Sequence, residues 1–143
     1  MSDLNKPIAL LTHAPNDLMV LQSAQAQMPE GFPEITGVNL QALESDAQMA
    51  DLLEHQLVAA RIIVLRVLGR LGSVPGFADL LRHAKSQGRQ LIAISGTGEP
   101  DPELAAASTV SSDVLHQVQA YFQAGGSVNM AQLLRYLSDH FLL

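Results

Sequence analysis

Arg61-Ile62-Ile63-Val64-Leu65-Arg66-Val67 is the stretch on which the fold turns. It is β-branched and apolar with no polar alternation, the signature of a strand covered on both faces. Amphipathic helices flank it. Upstream, Ser45 reads as an N-cap with Gln48 three residues on, and Met49, Leu52, Leu53 and Leu57 recur on one helical face. Downstream, a helix is expected from Ser73 to Gln87, with Phe77, Leu80, Leu81 and Ala84 inward and Gly88 after its end. A buried strand between two helices is the unit of a parallel sheet.

The same alternation extends in both directions. Residues 8–12 (IALLT) form a short apolar run stopped by His13-Ala14-Pro15, and a helix follows from Asn16 to Gln27 with Leu18, Val20, Leu21 and Ala24 inward. Residues 34–39 (EITGVN) and 90–95 (QLIAIS) supply two more strands. Right-handed crossovers then predict a three-layer α/β fold, Rossmann/flavodoxin-like, with four parallel strands in the order 2-1-3-4. After Ser95 the pattern changes. Residues 96–110 read as a connecting loop, and residues 111–143 as a helical hairpin broken at Gly125-Gly126. At 143 residues the whole chain is expected to be a single domain.

Composition narrows the function. A formal net charge of −6, with 8 Lys and Arg against 14 Asp and Glu, leaves no basic surface for nucleic-acid phosphates. No apolar run is long enough to span a bilayer, and the polar start MSDLNKP does not resemble a secretory leader, so a cytoplasmic protein without membrane partners is expected. Without cysteine there is no thiolate metal or nucleophile chemistry. The P-loop and the serine-hydrolase elbow have no match, and the first strand lacks the acidic cluster of a phosphoacceptor receiver. GTGEPD at 96–101 places Pro100 and Asp101 where a dinucleotide fingerprint needs its third glycine. No catalytic constellation or metal-ligand set is visible.

In such a sheet, ligands sit beyond the carboxyl ends of the strands. The candidate ligand-binding residues there are His13 and Asn16 after the first strand, Arg66, Gly69, Arg70 and Ser73 at and after the third, and Ser95, Gly96 and Thr97 at the fourth. Together they would suit a small anionic ligand, held by arginines and by amides of Gly69–Ser73 and Gly96–Gly98. Each has a plainer use. Glycines serve tight turns, a turn histidine bonds backbone, and an arginine within an apolar strand demands a counter-charge.

Asp101-Pro102-Glu103-Leu104 with Ser108-Thr109-Val110, then Tyr121-Phe122-Gln123-Ala124-Gly125-Gly126 and NMAQLLRYL at 129–137, resembles the N-terminal region of cobaltochelatase large subunits, relatives of the magnesium chelatase large subunit. Phe32-Pro33, Val38-Asn39-Leu40 and Val64 to Gly69 agree with it. The resemblance implies an N-terminal accessory domain of an ATP-dependent ligase of aerobic cobalamin biosynthesis, which inserts cobalt into hydrogenobyrinic acid a,c-diamide. It implies no chelation and no cofactor in this domain itself, with cobalt, ATP and magnesium handled by the whole enzyme and its ATPase subunits. Expected partners are the remaining domains of the large subunit, those ATPase subunits and the corrin macrocycle. The stretch LGRLGSVPGF at 68–77 departs from the family's Gly-Gly and aromatic-containing loop, so no role is carried over to it.

Overall fold

The computed structural model describes residues 6–86, 88–99 and 101–142. The apolar runs become β1 (Ile8–Thr12), β2 (Ile35–Asn39), β3 (Ile62–Val67) and β4 (Gln90–Ser95), all parallel and ordered β2-β1-β3-β4 as the alternation predicts. Ile62, Ile63, Leu65 and Val67 of β3 are completely enclosed, which accounts for the missing polar alternation. Successive side chains point to opposite faces. Ile8, Leu10, Val64 and Ile92 enter one core layer, while Ala9, Leu11, Leu65 and Leu91 enter the other.

Among the described residues six α-helices cover the two faces. α1 (Pro15–Ala26), α5 (Ser112–Ala124) and α6 (Gly126–Leu137) close the first layer, whereas α2 (Asp46–Glu54), α3 (Phe77–Ser86) and α4 (Pro102–Ala107) close the second. In α1, Leu21 and Ala24 are buried as expected, and Asp17 is buried with them. The cap of α2 forms as predicted, Ser45 Oγ accepting from the Gln48 amide at 3.2 Å. Gln48 Oε1 returns the bond one residue further back than a reciprocal box, to the Glu44 amide at 2.5 Å.

Three boundaries differ from the sequence expectation. α2 stops at Glu54, yet Leu57 is still fully buried, its amide reaching the Leu52 carbonyl at 2.8 Å. α3 starts at Phe77 and not at Ser73. Pro75 pushes Val74 into extended backbone (φ −98, ψ 107), Gly76 takes φ +69, and residues 71–73 are left as a separate 3-10 turn. Gln87, the expected end of this helix, lies outside the described residues, as do residues 1–5, Pro100 and Leu143. The third difference is in residues 96–110, expected to be a connecting loop, which contain α4. Asp101 Oδ1 accepts from the Glu103 and Leu104 amides at 2.9 and 3.2 Å, and Pro102 occupies the first turn, where its missing N–H costs nothing. The α5–α6 hairpin forms as predicted; its last turn, Ser138–Leu142, relaxes into a π-helix.

The residues after α4 finish the sheet. β4 is an edge strand, and an edge leaves backbone donors and acceptors open. Here side chains fill them. Ser108 Oγ accepts from the Ala93 amide and Thr109 Oγ1 from the Leu91 amide, each at 2.9 Å. The Thr109 amide donates to the Leu91 carbonyl at 2.9 Å, and Gln119 Nε2 donates to the Ser95 carbonyl at 3.1 Å.

Candidate functional site

The sheet order reverses between β1 and β3, so a crevice is expected where these two strands end. Arg66, at the end of β3, stands beside Thr12 in the register. Its Nη1 donates to Asp17 Oδ1 on α1 at 2.7 Å, while Asp17 Oδ2 accepts from Thr12 Oγ1 at 2.7 Å. The side chains of Arg66 and Asp17 are only 15% and 10% exposed, so each charge depends on the other for its counter-charge. The guanidinium also lies 4.8 Å from the centroid of the Phe122 ring, and Nη2 reaches the Gly96 carbonyl at 3.4 Å. Arg66 therefore ties α1, α5 and the loop after β4 to one point.

His13 does the corresponding work on the other side of the crevice. Its amide donates to the Arg66 carbonyl at 3.2 Å, its Nδ1 accepts from the Leu68 amide at 3.0 Å, and its carbonyl accepts from Gln41 Nε2 at 2.7 Å. Burial pushes the imidazole below its ordinary range, with a backbone hydrogen bond to Ser73 pulling the other way. A neutral ring is what the Leu68 bond requires, since Nδ1 must keep its lone pair.

The other candidates lie along the same edge with different fates. Ser95 Oγ bonds Thr97 Oγ1 at 2.7 Å and accepts from the Thr97 amide at 3.1 Å, closing a small turn at Gly96. Ser73 Oγ donates to the Arg70 carbonyl at 2.6 Å, beside Gly69. The side chains of Asn16 and Arg70 are exposed. Asn16, Asp17, Arg66, Tyr121, Gly126 and Met130 line a cleft of about 220 Å³, so the structure does bring Asn16 and Arg66 together. A second, largely apolar groove of about 170 Å³ runs between α4 and α5 past Ser95, with Leu104, Leu115 and His116 in its walls. Sequence reasoning missed Asp17 as the partner of Arg66 and Phe122 as its stacking surface. The signal was the arginine itself, which had to be paired.

Among the described residues no three His, Asp or Glu side chains converge on a point that would hold a metal ion. Nor, among those residues, is any helix long and apolar enough to cross a membrane.

Comparison with known proteins agrees with the motif resemblance. No protein-family model matches the chain. The aerobic cobaltochelatase subunit CobN of Pseudomonas aeruginosa is 27% identical over 135 residues, covering 94% of this chain and 11% of that subunit. The subunit of the same name from a Sinorhizobium species is 28% identical over 146 aligned positions, covering 95% of this chain and 11% of its own length. Among solved structures, the catalytic subunit of cobaltochelatase from Mycobacterium tuberculosis superposes with a TM-score of 0.72 at 27% identity, over 94% of this chain and 10% of that one. The chain thus spans about a tenth of the length of the relatives it matches. Over nearly its whole length the chain is similar in sequence to a segment of the cobaltochelatase subunit CobN and in fold to a segment of a cobaltochelatase catalytic subunit.

Proposed function

We propose that the chain is a single accessory domain, the N-terminal one, of an ATP-dependent cobaltochelatase large subunit, acting in the cytoplasm in aerobic cobalamin biosynthesis. The observation that carries this reading is the similarity over 94% of the chain to about a tenth of CobN. In this role the domain supports a larger ligase that inserts cobalt into hydrogenobyrinic acid a,c-diamide, and ATP and magnesium are handled by separate ATPase subunits. The geometry of the carboxyl edge supports an architectural part. Arg66, Asp17, Thr12 and His13 are bonded to one another or to backbone, so each holds elements of the fold together. The domain's partners are then the remaining domains of the large subunit, against which its helical layers dock.

A CobN relative lacking the homologous segment tests this. Cobalt insertion into the diamide, measured with the ATPase subunits present, is expected to fall in the truncated subunit and to recover when the 143-residue chain is added. The chain alone is expected to insert no cobalt. Turnover by the isolated chain, or full activity of the truncated subunit, would overturn the assignment.

A further inference from the structure

The cationic residues of this acidic protein are not evenly used. Arg66 pairs with Asp17, Arg82 with Asp79 at 2.8 Å and Lys6 with Glu34 at 3.7 Å. Among the cations in none of these ion pairs, which also include Arg70, Lys85 and Arg135, two arginines stand side by side. Arg61 immediately precedes β3 and Arg89 immediately precedes β4, and the register Ile62↔Gln90 makes them neighbours at the amino ends of adjacent parallel strands. The Gln90 amide donates to the Arg61 carbonyl at 2.8 Å, fixing their relative position. Both line one half-open cavity of about 270 Å³, with Gly88, Gln90 and Phe141 among its walls. Among the described residues neither has a carboxylate within ion-pair distance.

Their states are complementary. Arg61 is exposed and, among the described residues, its side chain makes no hydrogen bond or ion pair, so its fork can turn toward a guest. Arg89 is partly buried. Its Nη1 donates to the Ala60 carbonyl, which holds the head in place, while its Nε is enclosed with no acceptor. Burial pulls Arg89 below the ordinary guanidinium range, and its charge in turn helps keep the nearby His83 neutral. A partly buried cation without a nearby carboxylate is stabilised when an anion arrives. Two guanidinium forks around one space match the adjacent oxygens of an oxyanion, and Phe141 offers an apolar wall for whatever carries it.

We propose that the cavity between Arg61 and Arg89, at the amino edge of the sheet, is a binding site for a small oxyanion, a phosphate or a carboxylate carried by a small molecule. It is independent of the accessory role above and lies at the opposite end of the strands from the Arg66 crevice. Its volume of about 270 Å³ admits a group the size of phosphate or citrate, and among the described residues no carboxylate stands within ion-pair distance of its cations.

The test is an NMR titration of the 143-residue chain with inorganic phosphate and, separately, citrate, each at matched ionic strength against sodium chloride. Saturable shifts confined to the amides of Arg61, Gly88, Arg89 and Gln90 are expected, and the probe that saturates at lower concentration identifies the source of the oxyanion. Arg61→Gln, at an exposed residue whose side chain makes no bond among the described residues, is expected to raise the dissociation constant at least about tenfold, the loss of one charged fork, without changing the rest of the spectrum. Arg135→Gln, remote from the cavity, is expected to leave binding unchanged. No saturable shift with either anion up to about 10 mM, enough to fill even a weak millimolar site, would overturn the proposal. Shifts that persist unchanged in Arg61→Gln, or that chloride reproduces, would overturn it equally.

Discussion

Arg66 Nη1 and Asp17 Oδ1 lie 2.7 Å apart although 49 residues separate them, and the Phe122 ring packs beside the guanidinium 4.8 Å away. The pair joins the end of β3 to the first turn of α1, under α5. Because both side chains are largely out of water, each would leave the other as an uncompensated buried charge. Asp17→Ala is therefore expected to lower unfolding free energy by about 3 kcal/mol, near the lower end for broken buried pairs. The double variant Asp17→Ala/Arg66→Met should be less destabilised than Asp17→Ala alone. Urea denaturation of the three proteins measures this; a cost below about 1 kcal/mol for Asp17→Ala would mean that water replaces the carboxylate.

Removing the hydroxyl of Ser108 takes away the acceptor of the Ala93 amide on the outer rim of β4. Ser108→Ala is expected to cost about 1–2 kcal/mol, the usual range for leaving a part-buried donor unmet. Adding Thr109→Val opens the Leu91 amide as well, and an open rim invites pairing with another chain. Sedimentation velocity across a concentration series should then show association in the double variant and none in the parent.

The His13 ring is held neutral in the folded protein, its titration displaced below the ordinary imidazole range by burial. As pH falls below that range, about 6.5, the unfolded chain takes up a proton that the folded chain resists. Stability should therefore decline as pH falls from about 6.5 toward the displaced folded value. His83, pushed down by burial and by Arg89, acts in the same sense, while exposed His55, raised by Asp51, acts in the opposite one. In His83→Gln the decline should persist, and adding His13→Ala should flatten it. Chemical denaturation between about pH 5.5 and pH 7.5, about one unit either side of an imidazole's usual value, decides the matter.

Gly76 sits between α2 and α3 at φ +69, and its amide donates to Asp46 Oδ1 at 2.7 Å. A Cβ there would come within 2.5 Å of Met49 Cβ, inside any tolerable contact. Gly76→Ala is expected to destabilise by more than about 1 kcal/mol, since steric overlap adds to the left-handed backbone. A melting temperature equal to that of the parent would contradict this.

Much of the architecture was readable because buried parallel strands have a composition of their own. Ile62 to Leu65 and Leu91 to Ile94 have apolar neighbours on both faces and carry no polar residue. Helix interiors were equally plain, but their ends depended on local competition. Pro75-Gly76 outweighed the apolar spacing that suggested an earlier start for α3. α4 was masked by the glycines and prolines around it, although Asp101-Pro102 is itself a helix-start signal. The crevice was legible only in half. An arginine in an apolar strand announces that it needs a partner, but no local pattern says the partner is Asp17. The bonds of Ser108 and Thr109 to β4 span 15 and 18 residues and leave no periodic trace. Nor do Arg61 and Arg89: Arg61 reads as the first residue of its strand, and only the observed register Ile62↔Gln90 sets the two side by side.

The arginines at the two ends of β3 have an electrical consequence for how anything meets this protein. At one end the positive charge of Arg66 is cancelled internally by Asp17, while at the other the two arginines have no carboxylate within ion-pair distance among the described residues, on a chain whose total is −6. A negatively charged molecule diffusing nearby is repelled by the protein as a whole and attracted locally at the amino rim. It is therefore turned before it touches, and the pole at which it arrives is selected by long-range forces that salt weakens.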